Sequence, residues 1–123
     1  HEVMADTTAR HVLMNPGIRE RSLAVTTGTS DTKGDAYNLP RQEGGLPRTV
    51  TWEVTVVGSP SALSMQLQGA MTDTEAEFTV LDADDATLVS YARTFGPCNY
   101  NFIRIRQVTR TGGTSVAGDI VVS

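Results

Sequence analysis

Cysteine, lysine, histidine and tryptophan are all scarce in this chain. Cys98 stands alone, which removes any internal disulfide and any cysteine-built zinc site and suits synthesis in a reducing cytosol. A nucleophilic cysteine needs a histidine beside it. The two histidines, His1 and His11, both fall in the turn-rich N-terminal stretch, so Cys98 reads as a buried, inert thiol. Lys33 is the only lysine, and ten basic residues against fourteen acidic ones leave a net charge of −4. Phosphate backbones are bound by clustered Lys and Arg, so this balance argues against nucleic acid as the main partner. No apolar run approaches the roughly 20 residues a membrane-crossing helix needs, and no membrane partner is expected. No secretory leader pattern opens the chain. His1-Glu2-Val3 ahead of Met4 reads as a processing remnant, with the cut end of a longer precursor as the rival reading.

Motifs with a chemical mechanism are also missing. There is no Gly-x-Gly-x-x-Gly or phosphate-binding loop, and Gly44-Gly45 and Gly112-Gly113 read as turns. Nothing resembles a nucleophile elbow. Asp82, Asp84 and Asp85 form the densest carboxylate group, yet the glycine and late glutamate of a helix–loop–helix calcium site are absent. That cluster reads as a solvated acidic turn. Glu75 and Glu77 share a strand parity on which paired carboxylates can do acid–base work, but solvated strand residues are the commoner outcome. The expectation is therefore a non-enzyme, with no catalytic residue, no cofactor and no metal.

What the chain does have is alternation. Val50, Trp52, Val54 and Val56 occupy one parity, and Thr49, Thr51, Glu53 and Thr55 the other, the signature of a half-buried strand. Leu63, Met65 and Leu67 repeat the pattern, as do Ala76, Phe78 and Val80, and Val116, Ile120 and Val122. Leu23 and Val25 are the expected core residues of a first strand within Ser22–Ser30. Asp31 to Arg48 carries three glycines and two prolines and reads as a long surface connection with a short strand at 36–39. No segment shows an apolar stripe of helical period. Six or seven short runs separated by turn signals predict an all-β sandwich or barrel, preceded by an N-terminal arm over residues 1–21 and built from residues 22–123.

The run Asn99-Tyr100-Asn101-Phe102-Ile103-Arg104-Ile105-Arg106-Gln107-Val108 poses a sharper question. Arg104 and Arg106 share a parity with Phe102 and Val108, and Ile103 and Ile105 take the other. With the isoleucines in the core, the arginines cover the sheet surface with their stems and pair with carboxylates on neighbouring strands, Glu53 and Glu77 being suitable by parity. With Phe102 and Val108 in the core, both arginines are buried and need fully paired carboxylates.

Taken together, three segments resemble small virion proteins of tailed phages. They are the strand 48–57 with its Gly-Ser turn and Leu67-Gln68-Gly69-Ala70, the strand bearing Phe78 and Leu81, and the late strand Phe102-Ile103-Arg104-Ile105 with its glycine turn and valine-rich close. The pattern covers residues 48–122. It departs from the family at Met71-Thr72-Asp73-Thr74, where Asp-Gly is usual, and at Phe78, where tryptophan is usual. The order of elements is also similar to discoidin-like jelly-roll sandwiches, some of which bind sugars. The resemblance implies a single jelly-roll-like antiparallel β-sandwich with an extended N-terminal arm, acting in the virion after synthesis in the host cytoplasm. It implies a capsid decoration or cement protein, or a tail or fibre component, whose partners are the major capsid protein or other virion proteins. A homo-oligomer is expected, a trimer by analogy with symmetric rings. Candidate partner contacts are Arg10, His11, Arg19 and Arg21 in or beside the arm, Tyr37, Leu39 and Arg41 in the long connection, and Arg104 and Arg106. A carbohydrate-binding module is the alternative, with Tyr37 and Tyr100 as candidate aromatic platforms.

Overall fold

The computed structural model describes residues 13–123. Arg10 and His11 lie outside the described residues. Nine strands follow in order: β1 (Glu20–Thr26), β2 (Thr32–Lys33), β3 (Tyr37–Asn38), β4 (Arg48–Val57), β5 (Pro60–Ala70), β6 (Thr79–Asp84), β7 (Tyr91–Cys98), β8 (Phe102–Gly112) and β9 (Ser115–Val122). One sheet runs β1-β9-β4-β7 and the other β2-β8-β5-β6, with β3 continuing the β2 edge along β8. The pairings between strands are all antiparallel. If β2 and β3 count as one interrupted strand, the chain changes sheet at every connection except β5 to β6. This is the wrapping of a jelly roll, so the expected all-β sandwich is the observed fold.

Period-two alternation decides what enters the core. Val50, Trp52 and Val54 of β4, Leu63, Met65 and Leu67 of β5, Ile103 and Ile105 of β8, and Ile120 and Val122 of β9 are all buried between the sheets. Burial of these side chains is the main stabilising term, worth roughly 1.5–3 kcal/mol for each large one. The Trp52 and Tyr91 rings pack in a T-shaped pair, 5.9 Å between centroids and 77° between planes. Gly118 lets the sheets approach, because a Cβ there would come within 2.8 Å of the Ile105 side chain.

Three expectations need correction. Val25 is exposed, whereas Ser22 and Leu23 are both buried. Register shifts in the β1–β9 ladder between Arg21 and Leu23 and between Leu23 and Thr26 break the alternation there. Ala76 to Val80 is not one strand: Glu75–Glu77 forms a 3-10 turn and β6 starts at Thr79. The long connection is less of a free loop than its composition implies. Both β2 and β3 pair with β8, and Tyr37 and Leu39 are buried.

The segment before β1 is also tied down. Met14 is buried in the core, its amide bonds to the Asn38 carbonyl, and the Gly17 amide bonds to Val122.

Candidate interaction surfaces

The two arginines of the late strand behave differently from either simple alternative. Ile103 and Ile105 fill the core, so Arg104 and Arg106 point to the outer face of their sheet. Yet Arg104 is only 5% exposed. The connection from β5 to β6 folds over it. The Phe78 ring lies 3.9 Å from the guanidinium carbon, and Glu75 accepts two hydrogen bonds of 2.8 Å. Its Nε donates to Gln68 Oε1 at 2.9 Å. Arg106 makes a bidentate pair with Asp31, 2.8 Å on each side, and also reaches Gln66. Gln68 donates to Gln66 and Lys33 reaches Asp31. One chain of polar contacts thus runs Glu75–Arg104–Gln68–Gln66–Arg106–Asp31–Lys33 across the sheet.

The carboxylates partnering these arginines are Glu75 and Asp31, not the Glu53 and Glu77 that parity offered. Both come from connections, and connections carry no strand parity. Gln66 and Gln68 alternate with buried Met65 and Leu67 and so face outward, and the β5–β8 pairing sets them beside Arg106 and Arg104. Hydrogen bonds from Arg104 hold the Glu75 carboxyl below the usual range, and those from Arg106 do the same to Asp31.

The opposite outer face is laced by the segment entering β1. Arg19 pairs with Glu53 through two hydrogen bonds of 2.8 and 3.1 Å. Arg21 pairs with Asp119 through bonds of 2.6 and 3.3 Å. A shallow groove of about 490 Å³ lies there, lined by Gly17, Ile18, Arg19, Thr51, Glu53 and Val121.

A third cluster closes the β6/β7 edge of the sandwich. Asp82 accepts a hydrogen bond from the buried Trp52 indole at 3.0 Å and a bidentate pair from Arg93 at 2.9 and 3.0 Å. Arg93 also reaches Asp84. Asp84 accepts from the amides of Ala86 and Thr87 and from the Thr87 hydroxyl. Burial alone would raise both carboxyls, but these donors outweigh it and hold both below their ordinary values. The acidic cluster read as a solvated turn is therefore half structural, with only Asp85 left exposed. Among the described residues, no group of three or more His, Cys, Asp or Glu is placed to hold a metal ion.

The Tyr37 hydroxyl donates to the Arg21 carbonyl. Tyr100 is half-buried, packs on the core and faces Gly69. Neither tyrosine is a free flat platform. Arg41 is exposed and donates to the Asn99 carbonyl and the Asn101 side chain. Cys98 is fully buried, and burial pushes its thiol up.

No protein family matches the sequence, and no curated protein matches it. Among solved structures, the chain is similar to the crystal structure of the SPBc2 prophage-derived protein YomS. The likeness has 20% identity and a TM-score of 0.51, and covers 89% of this chain and 99% of that one. At that identity the shared property is the fold.

Proposed function

We propose that this chain is a structural protein of a tailed-phage virion, a head-decoration or cement protein that binds the particle surface and acts by subunit contacts rather than catalysis. The observation that carries the reading is the nearly end-to-end likeness of its fold to a prophage-derived protein. The surface chemistry supports it. Both outer faces invest their charged side chains in internal ion pairs, which stiffen the sandwich. Exposed apolar side chains lie in connections, at Leu46, Met71, Leu88 and Val89, before β1 at Leu13 and Ile18, and on strands at Val25, Val57 and Val80.

Within the proposal, Tyr37, Leu39 and Arg104 serve the body of the fold, Arg19, Arg21 and Arg106 are held in ion pairs on its outer faces, and Arg41 and residues 1–12 are the proposed contact elements. A truncation that tests the arm should stop at residue 12, because Met14 belongs to the core. The direct experiment is protein analysis of purified particles made with and without the gene. The expected result is the chain on wild-type particles and loss of heat resistance in particles lacking it. Particles that never contain the chain would end this reading.

A further inference from the structure

Arg104 and Arg106 face outward, and plain alternation sends Arg110 the same way. The strand does otherwise. A register shift in the β5–β8 ladder sets Met65 opposite Gln107 and Ser64 opposite Thr109, so Val108 is an extra residue. A bulge of this kind turns the remainder of its strand over. Gln107 and Arg110 therefore both point between the sheets, opposite the buried Met65 and Leu63, and are only 0% and 3% exposed.

There they meet the exposed connection from β1 to β2, in which every residue from Thr27 to Asp31 gives an acceptor to β8. The Gln107 side-chain amide donates to the Gly28 and Ser30 carbonyls at 3.0 and 2.7 Å. One terminal nitrogen of Arg110 donates to the Thr27 and Gly28 carbonyls at 2.8 and 3.2 Å, and the other to Gly112. The Arg110 backbone amide bonds to Thr29, and Arg106 takes the Asp31 carboxylate. Among the described residues, no carboxylate pairs with Arg110. Two buried atoms in this corner find no partner in the protein: Arg110 Nε, a donor, and Gln107 Oε1, an acceptor. Both side chains end on the Gly28 carbonyl, so the two atoms belong to one polar pocket.

We propose that a single water molecule is bound inside this end of the sandwich, accepting from Arg110 Nε and donating to Gln107 Oε1. The chemistry of the pair selects the ligand. An anion suits the guanidinium but is repelled by the amide oxygen, and a cation is repelled by the guanidinium. The ligand must accept at one atom and donate at the other, and it must be small and neutral, which describes water. Bound there, it satisfies the last polar atoms of the side chains that clamp the 27–31 connection, and buried polar atoms left unmet are costly. An exposed segment is thereby held to β8 along its whole length. The site needs only the chain itself and stands or falls separately from particle binding.

A crystal structure of the whole chain that shows ordered solvent tests the proposal directly. The expected result is one water within hydrogen-bond distance of both Arg110 Nε and Gln107 Oε1. No water there, separate waters on the two atoms, or a direct bond between Gln107 and Arg110 Nε would each overturn it. Magnetic relaxation dispersion of the solvent, which counts long-lived internal waters, reads the same site in solution. Gln107→Met and Arg110→Met should each lose one such water relative to the wild type, with the tryptophan fluorescence of the folded state intact. An unchanged count in either folded variant would also overturn the proposal, and where a variant does not fold the wild-type crystal structure decides.

Discussion

Glu53 and Asp119 stand directly opposite one another in the β4–β9 ladder, and each is met by its own arginine, Arg19 just before β1 and Arg21 within it. Like charges facing across strands repel, so Arg19 and Arg21 neutralise a clash built into the sheet. Asp119 is the more buried carboxylate, and Arg21→Ala should cost about 1 kcal/mol, with a smaller loss for Arg19→Ala. In the double variant the exposed repulsion remains, so added salt should recover stability, and Glu53→Gln should recover more. Urea unfolding followed at Trp52 measures both. A double variant indifferent to salt and to Glu53→Gln would show that the two carboxylates do not interact.

Arg104 pins a connection that has no strand partner. Arg104→Ala removes the bidentate pair with Glu75, the bond to Gln68 and the Phe78 stack together. Glu75 is well exposed and can rehydrate, so the cost should be about 1–3 kcal/mol rather than that of a fully buried pair. Arg104→Lys keeps the charge but not the planar fork, and should recover only part. Limited proteolysis should then cut the 71–78 connection faster. Unchanged cutting would mean that other contacts hold that segment.

Most of the sandwich was legible in the sequence, and the reason is local. Alternation at Val50 to Val56, Leu63 to Leu67 and Ile103 to Ile105 assigns each side chain to a face whatever the partner strand. Sheet order is not local, so Glu53 was readable as outward while its neighbour Asp119 was not. Bulges defeat alternation as well, which misplaced Val25. The candidate site was less legible because Asp31, Glu75 and Phe78 reach the arginines from connections. Arg104 met neither alternative cleanly: its strand faces it outward, and the fold then covers it.

Stability should fall on the acid side. Asp31, Glu75, Asp82 and Asp84 all have lowered folded values, whereas the unfolded chain titrates near pH 4. The unfolded state therefore binds protons first as pH falls. The contribution of these groups is full above about pH 5 and is lost as pH drops through 4 toward the folded values. Asp82→Asn keeps an acceptor for the Trp52 indole but loses the charge facing Arg93, and should flatten this acid limb while lowering stability at neutral pH. Denaturant midpoints across the pH range check it, and an identical acid slope in the variant would remove Asp82 from the account.

Tyr91 gives the alkaline counterpart. Burial raises its phenol well above the ordinary value, and its hydroxyl has no hydrogen-bond partner. The unfolded phenol ionises near pH 10, so its effect on stability is constant below that and declines as pH rises beyond it. Tyr91→Phe keeps the T-shaped contact with Trp52 and deletes an unsatisfied polar atom. It should be neutral or stabilising by up to about 1 kcal/mol at pH 7 and weaken the alkaline loss. A destabilised Phe variant would reveal a bound water on that hydroxyl.

Gly34 sits where the two sheets come closest at the β1/β2 edge. Its amide donates to the Ile105 carbonyl, and the next amide, that of Asp35, donates to Ser22. The Ser22 hydroxyl bonds in turn to the Asp35 carbonyl and accepts from the Ile105 amide. A Cβ at Gly34 would come within 2.5 Å of the Ser22 oxygen and 2.8 Å of the Ile105 oxygen. Both atoms are backbone, so no side-chain rotation relieves the clash. Gly34→Ala should therefore part β1 from β8 at a cost of about 1–3 kcal/mol or more. Gly28→Ala is the control, because its nearest neighbour would be the Thr26 hydroxyl at 3.7 Å. Thermal unfolding should separate the two variants by several degrees. If Gly34→Ala unfolds with Gly28→Ala, the sheets at this edge yield to a methyl group, and the close approach does not set the edge.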